Sequence, residues 1–235
     1  MTLTICIKSR DGIILASDSR ASSYFTSNDT VVKIFKLDDH NAVGIAGDGE
    51  LAMHFFDLIS SELNFGAGIC KLAEQLRQAG KTKFDDFFSH QTPKDRADLS
   101  ILLGGYTKDN KPEIYRLNSG DNFVPRKSTT GFDCIGIPII AQYLLNRLYE
   151  PGISTTNAEE LAAFCIKETS SQDKRVGGPI QIATFSNTKS YSTLSKEEID
   201  LISYKCDQIR VVQKGYFYPE DISGGSTIPG EAVKQ

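Results

Sequence analysis

No Cys-x-x-Cys pair occurs in the 235 residues. The five cysteines, Cys6, Cys70, Cys134, Cys165 and Cys206, are scattered and odd in number. That excludes a disulfide frame or a zinc site as the organising element. Most lie in apolar stretches and read as small core residues. The three histidines, His40, His54 and His90, are far apart and show no ligand spacing, so no metal and no cofactor is expected. There is no basic surplus: the net charge is −4, which argues against nucleic acid as a partner. No apolar run approaches the roughly 20 residues that span a bilayer. The opening Met1-Thr2-Leu3-Thr4 lacks the charged and apolar regions of a signal peptide. A cytoplasmic chain working off the membrane is the expectation.

What remains is ordinary for a globular chain, with 40% apolar and 24% charged residues. The length suits one large domain with a substantial core. Thr4 to Ile7 and Ile13 to Ala16 are short apolar runs joined around Asp11-Gly12, a hairpin signal. Val31 to Leu37 alternates around Lys33 and Phe35. Ala42 to Ala46 is another strand, ended by Gly47-Asp48-Gly49. Leu51, Phe55, Leu58 and Ile59 share one helical face, which predicts a helix over Glu50 to Leu63. Asn64 to Gly68 breaks it, and Cys70, Leu72, Leu76 and Phe84 continue in a second helix. Leu99 to Tyr106 is a strongly apolar strand, with Ile114 to Leu117 and Asn122 to Val124 as its meander. Thr130 to Ile137 is a further strand or loop, and Pro138 is placed to open a helix. Thr156-x-x-Glu159 and Ser195-x-x-Glu198 have capping-box form. They predict helices over Asn157 to Ser170 and Lys196 to about Val212, with Ile180 to Phe185 a strand between them. Residues 1–217 read as one domain and 218–235 as a tail or arm. The order of elements fits an α+β sandwich of two antiparallel sheets with helix pairs outside.

Three places can carry chemistry. Removal of Met1 would leave Thr2 with a hydroxyl and an amine on adjacent carbons. The ordinary amine pKa, about 8, suits a base beside its own nucleophile. The plain alternative is a frayed terminus. Asp18 follows an apolar strand, and Lys33 interrupts another. Alternation would let Lys33 face water, whereas a lysine held among strands by Asp18 would lower the pKa of a neighbouring nucleophile. Gly47 is either a turn glycine or an unobstructed backbone donor for an oxyanion.

Together these pieces resemble the proteasome β-subunit family. The opening runs Thr2, then Lys8-x-x-Asp11-Gly12, Ile13 to Ser17 and Asp18-Ser19-Arg20. Lys33-Ile34-Phe35, Ile45-Ala46-Gly47-Asp48, Leu102 to Tyr106 and Asp173-x-x-x-Gly177-Gly178-Pro179-Ile180 follow in family order. The likeness spans residues 2 to about 190. It implies a four-layer αββα N-terminal nucleophile (Ntn) hydrolase fold and threonine peptidase activity. Thr2 is then nucleophile and, through its amine, base; Asp18 and Lys33 assist; Gly47 offers the oxyanion N–H; Asp173 supports the terminus. Arg20, Ala21, Ser22, Ile45, Gly49 and Met53 fall at substrate-binding positions, and the pocket-wall positions among them, Ala21, Ile45, Gly49 and Met53, carry no charge. Unfolded protein or peptide as substrate, a homo-oligomeric ring and a partnering ATP-dependent unfoldase are implied with it. Two family serines are missing: none lies between Gly131 and Pro138, and Val176 stands in place of the other. Alternatives within this fold are an amidase or acyl-transfer enzyme acting on a non-protein amide, and a ring subunit that has lost activity.

Overall fold

The computed structural model describes residues 2–22, 27–47 and 49–218. The chain begins with a hairpin, β1 (Leu3–Lys8) and β2 (Ile13–Ser17). Its loop is closed by the Ser9 N–H and hydroxyl donating to the Gly12 carbonyl. A small ribbon follows, β3 (Ala21–Ser22) with β4 (Ser27–Asn28), then β5 (Ile34–Lys36) and β6 (Asn41–Gly47). Helices α1 (Gly49–Ser60) and α2 (Ile69–Phe87) come next, then β7 (Leu99–Tyr106), β8 (Pro112–Asn118) and β9 (Arg126–Lys127). The final third is β10 (Phe132–Gly136), α3 (Ile139–Leu148), α4 (Thr155–Gln172), β11 (Gln181–Phe185), β12 (Ser192–Thr193) and α5 (Lys196–Phe217).

Two five-stranded antiparallel sheets result, ordered β10-β1-β2-β11-β12 and β5-β6-β7-β8-β9. Their central strands are apolar on both faces because both faces are covered. On the first sheet, Leu3, Ile5, Ile7, Ile14 and Ala16 point outward and pack against residues of α3, α4 and α5 such as Leu145, Ala162 and Ile202. Cys6, Ile13 and Leu15 point inward to meet Ala42, Ala46 and Leu102 of the second sheet. The far face of the second sheet, with Val43, Ile45, Ile101 and Leu103, is sealed by Phe55 and Ile59 of α1 and by Leu72 and Leu76 of α2. The layers are therefore helices, sheet, sheet, helices, as the element order predicts. Among the described residues, no helix is long and apolar enough to cross a membrane.

Several local expectations need correction. Asn122 to Val124 is no strand. A 3₁₀ turn at Ser119–Asp121 leads into Asn122 and Phe123 with φ of 52° and 55°. This sharp turn drives the Phe123 ring into the α1–α2 core, where it stacks on Phe55 at 5.7 Å. Helix α4 starts earlier than Thr156-x-x-Glu159 implies, because Ser154 is the N-cap and its hydroxyl accepts the Asn157 N–H. The capping box at Ser195 and Glu198 is present in both directions, but α5 runs to Phe217 rather than Val212. Tyr218 is its C-cap; the rest of the expected tail lies outside the described residues. Of the five cysteines, all free, Cys70 is exposed and the other four are buried.

Candidate active site

The first sheet places residue 18 directly after β2, opposite the start of β1, because Thr4 pairs with Ser17. The Asp18 carboxylate is fully buried and accepts four donors. Its Oδ1 takes the Leu3 N–H at 2.9 Å and the Lys33 ammonium at 3.0 Å. Its Oδ2 takes the Gly177 N–H at 3.0 Å and the Arg20 N–H at 3.2 Å. A buried carboxylate is tolerated only when its lone pairs are filled in this way. One oxygen thus carries both the lysine and the amide next to Thr2. Thr2 itself is 4% exposed, and its carbonyl accepts the Ile137 N–H at 2.9 Å, fixing the start of β1 against β10.

Lys33 does not face water. It is 4% exposed, whereas its neighbour Val32 is 51% exposed, the reverse of what burial of the apolar side chains of the Val31 to Phe35 run would give. Regular strand structure begins only at Ile34, so the pleat does not dictate the side chain's direction, and the Asp18 charge does. Lys33 Nζ also donates to the Arg20 carbonyl at 2.6 Å. Two of its three protons are then placed, and one is left for a third acceptor. Burial depresses the Lys33 pKa below the ordinary lysine value, and the attraction of Asp18 offsets only part of that.

Gly47 ends β6 with φ of 153°, and a Cβ there would lie 2.5 Å from the Asp98 carbonyl oxygen. Neither the dihedral nor the space admits a side chain. Asp173 is the C-cap of α4, and its carboxylate is held by Arg175 through Nε at 2.9 Å and Nη2 at 2.6 Å. That hydrogen-bonded pair keeps the Asp173 pKa below the usual carboxylate range.

The implied substrate-binding set is only partly brought together. The Arg20 guanidinium is committed to Asp29 and to the Lys174 carbonyl, so it ties loops together instead of facing a substrate. Ile45 is sealed in the core under α1 and α2, because alternation along β6 sends its side chain to the helix face. Ala21 is half-buried on β3, paired with Asn28. The side chains of Ser22, Gly49 and Met53 lie outside the described residues. Three contributors were not legible. The Gln181 amide accepts the Lys33 N–H at 3.1 Å and donates to the Val31 carbonyl at 2.6 Å. Ser17 Oγ lies 3.0 Å from the Leu3 and Asp18 carbonyl oxygens. Asp29 is the third. Among the described residues, no group of three or more His, Cys, Asp or Glu side chains is placed to hold a metal ion.

A family model described as "Proteasome subunit" matches residues 2–185. The chain belongs to the proteasome subunit family. Among curated relatives, "Proteasome subunit beta 2" of Cenarchaeum symbiosum is 27% identical over 202 residues, covering 84% of this chain and 91% of the relative. "Proteasome subunit beta" of Methanobrevibacter ruminantium is 28% identical over 205 residues, covering 87% and 94%. Among solved structures, "Anbu (ancestral beta-subunit) from Yersinia bercovieri" superposes with a TM-score of 0.73 at 16% identity, covering 97% of this chain and all of that one. That superposition bears on the fold, and it agrees with two helix-flanked antiparallel sheets. The chain is thus a divergent proteasome β-like protein of the Ntn hydrolase fold.

Proposed function

We propose that this proteasome-family chain is a threonine endopeptidase whose nucleophile is Thr2, freed by removal of Met1. The observation that carries this reading is the buried Lys33 ammonium. It rests on the same Asp18 oxygen as the Leu3 N–H, one peptide unit from Thr2. A buried cation costs several kcal/mol unless paired, and a solvated strand lysine needs no such setting.

In this mechanism the Thr2 hydroxyl gives its proton to its own α-amine as its oxygen bonds to the scissile carbonyl carbon. Lys33 favours the developing alkoxide by its charge. The Gly47 N–H receives the oxyanion. The ammonium formed at the terminus then protonates the departing amine as the C–N bond breaks, and water hydrolyses the Thr2 ester. Asp173 supports the terminus electrostatically. We further infer self-assembly into a ring that admits unfolded chains, supplied by an ATP-dependent unfoldase. The proteasome β subunits among the relatives support the assembly. The domain is taken as residues 1–217, with 218–235 an appended arm.

The test is intact mass with an N-terminal-threonine-directed electrophile. The reading expects mature chains that begin at Thr2 and take up one equivalent there, and Thr2→Ala that keeps its fold and loses peptide hydrolysis by several orders of magnitude. Undiminished turnover in purified Thr2→Ala protein would sink it. A folded, assembled chain without label or turnover would instead make it an inactive ring subunit.

A further inference from the structure

Lys33 Nζ donates to the Arg20 carbonyl at 2.6 Å, so the placement of that carbonyl decides where the remaining proton of Lys33 points. Arg20 lies between β2 and β3; its N–H is held by the Gly177 carbonyl at 2.9 Å and by Asp18 Oδ2 at 3.2 Å, and its side chain gives the residue a second anchor. Its guanidinium is held by both oxygens of one carboxylate: Nε to Asp29 Oδ1 at 2.7 Å and Nη2 to Asp29 Oδ2 at 2.8 Å. Nη1 donates to the Lys174 carbonyl at 3.1 Å. A planar two-point grip of this kind sets direction as well as distance.

Asp29 also acts through its backbone. The Ser19 hydroxyl donates to the Asp29 carbonyl at 2.7 Å, and the Val31 N–H donates to the Ser19 carbonyl at 3.1 Å. The segment carrying Arg20 is thereby clasped to the one that delivers Lys33 four residues after Asp29. The glycine pair before β11 fits this clasp. A Cβ on Gly177 would lie 2.6 Å from the Arg20 guanidinium carbon. One on Gly178, where φ is +72°, would lie 2.6 Å from Ser19 Oγ and 2.9 Å from the Asp29 Cβ. Any side chain on either glycine would push the pair apart.

We propose that Asp29 is a positioning residue for Lys33, acting through Arg20; this rests on the reading of Thr2 and Lys33 as reaction groups. The Asp29 side chain is 37% exposed, and an ion pair so open to solvent contributes little to stability. Its effect therefore belongs to the rate and not to the fold.

The experiment compares wild type, Asp29→Asn, Asp29→Glu and, as a control, Asp39→Asn, which breaks the exposed Lys36–Asp39 pair. The first readout is Thr2 labelling by a threonine-directed electrophile, resolved into binding and the maximal rate constant. Asp29→Asn is expected to lower the rate constant about 10–100-fold with little change in binding, since small misplacements of reacting groups cost that much. Asp29→Glu should recover part of it, and Asp39→Asn should match wild type. The second readout is acetylation of Lys33 by an N-hydroxysuccinimide ester, followed by peptide mass. It does not depend on Thr2 chemistry. Buried Lys33 should react slowly in wild type and faster in Asp29→Asn, with an unchanged melting midpoint. Wild-type rates in Asp29→Asn for both readouts overturn the proposal, and so does global unfolding of Asp29→Asn. A wild type that takes no label at Thr2 would reject the peptidase reading, and the Lys33 acetylation arm alone would then decide the role of Asp29.

Discussion

Removing Lys33 should damage the fold as well as the chemistry. Lys33→Met keeps the length of the side chain and deletes its charge. Asp18 stays fully buried, still accepting the Leu3, Arg20 and Gly177 N–H groups but with no counter-charge. At the observed 3.0 Å, Coulomb attraction at an effective dielectric near 20 is about 5 kcal/mol. Measured costs of breaking one side of a buried pair are about 3–5 kcal/mol. For a chain of this size that corresponds to a fall in Tm of roughly 6–20 °C. Asp18→Asn should be at least as harmful. Whichever way its amide is turned, the NH₂ faces two donors: Leu3 N–H with Lys33, or Arg20 N–H with Gly177 N–H. In the double variant neither charge is stranded, so its loss should fall short of the sum of the single losses by more than about 1 kcal/mol, the sign of a coupled pair. Urea unfolding of the four proteins at pH 7 measures all of this. Losses that add within about 0.5 kcal/mol, or a Lys33→Met variant as stable as wild type, would refute the account of the pair.

Gly47→Ala should lower kcat about 10²–10³-fold through the displaced N–H and cost about 1–3 kcal/mol of stability through backbone strain; steady-state kinetics and urea unfolding check the two effects. The depressed Lys33 pKa sets a pH limb: the charged form is the working one, so kcat/KM should fall as pH rises through a value below the ordinary 10.5, and a pH profile with that limb only above 10.5 would contradict the assignment. Arg175→Gln should move the acid limb upward, because Asp173 then loses the hydrogen-bonded partner that keeps it ionised in acid. In stability the same depressed carboxyl contributes above its unfolded value of 3.8 and loses that contribution as pH falls through the folded one, so wild type and Arg175→Gln should converge in melting temperature in strong acid.

The layers were legible because they are written in local patterns. Leu99 to Tyr106 reads as an uninterrupted apolar run, and it is strand β7 to the residue, since both faces of its sheet are covered. Ser195 and Glu198 announce α5 because a capping box is a contact over three residues. Phe123 misled because its apolar character says that it is buried, not that it is extended; a left-handed backbone delivers it to the core. The site was less legible for a matter of distance along the chain. Asp18 and Lys33 were picked out, but alternation alone left Lys33 facing water, and only a contact across 15 residues turns it inward. Gln181 meets Lys33 from 148 residues away, and no window on the sequence contains both. Asp29 carried no signal in the sequence, because its partner, Arg20, lies nine residues away and the pairing follows no periodic pattern.

The two missing family serines take on a physical meaning in this setting. Val176, at one of those positions, is fully buried and packs in the apolar cluster between the first sheet and helices α3 to α5. A hydroxyl there would have to find a partner among aliphatic side chains. The late loop is held by other means. The Val176 N–H donates to the Asp173 carbonyl, the Gly177 N–H to Asp18, and the Gly177 carbonyl receives both Ser19 and Arg20 N–H groups. Asp173 is gripped by Arg175 from within the same turn. Backbone groups and ion pairs thus fix the loop at its junction with Asp18. Replacing Val176 by serine would add a buried hydroxyl without removing any bond that now holds the loop. Valine at this position therefore leaves the backbone anchoring of the loop and the four-donor shell around Asp18 intact.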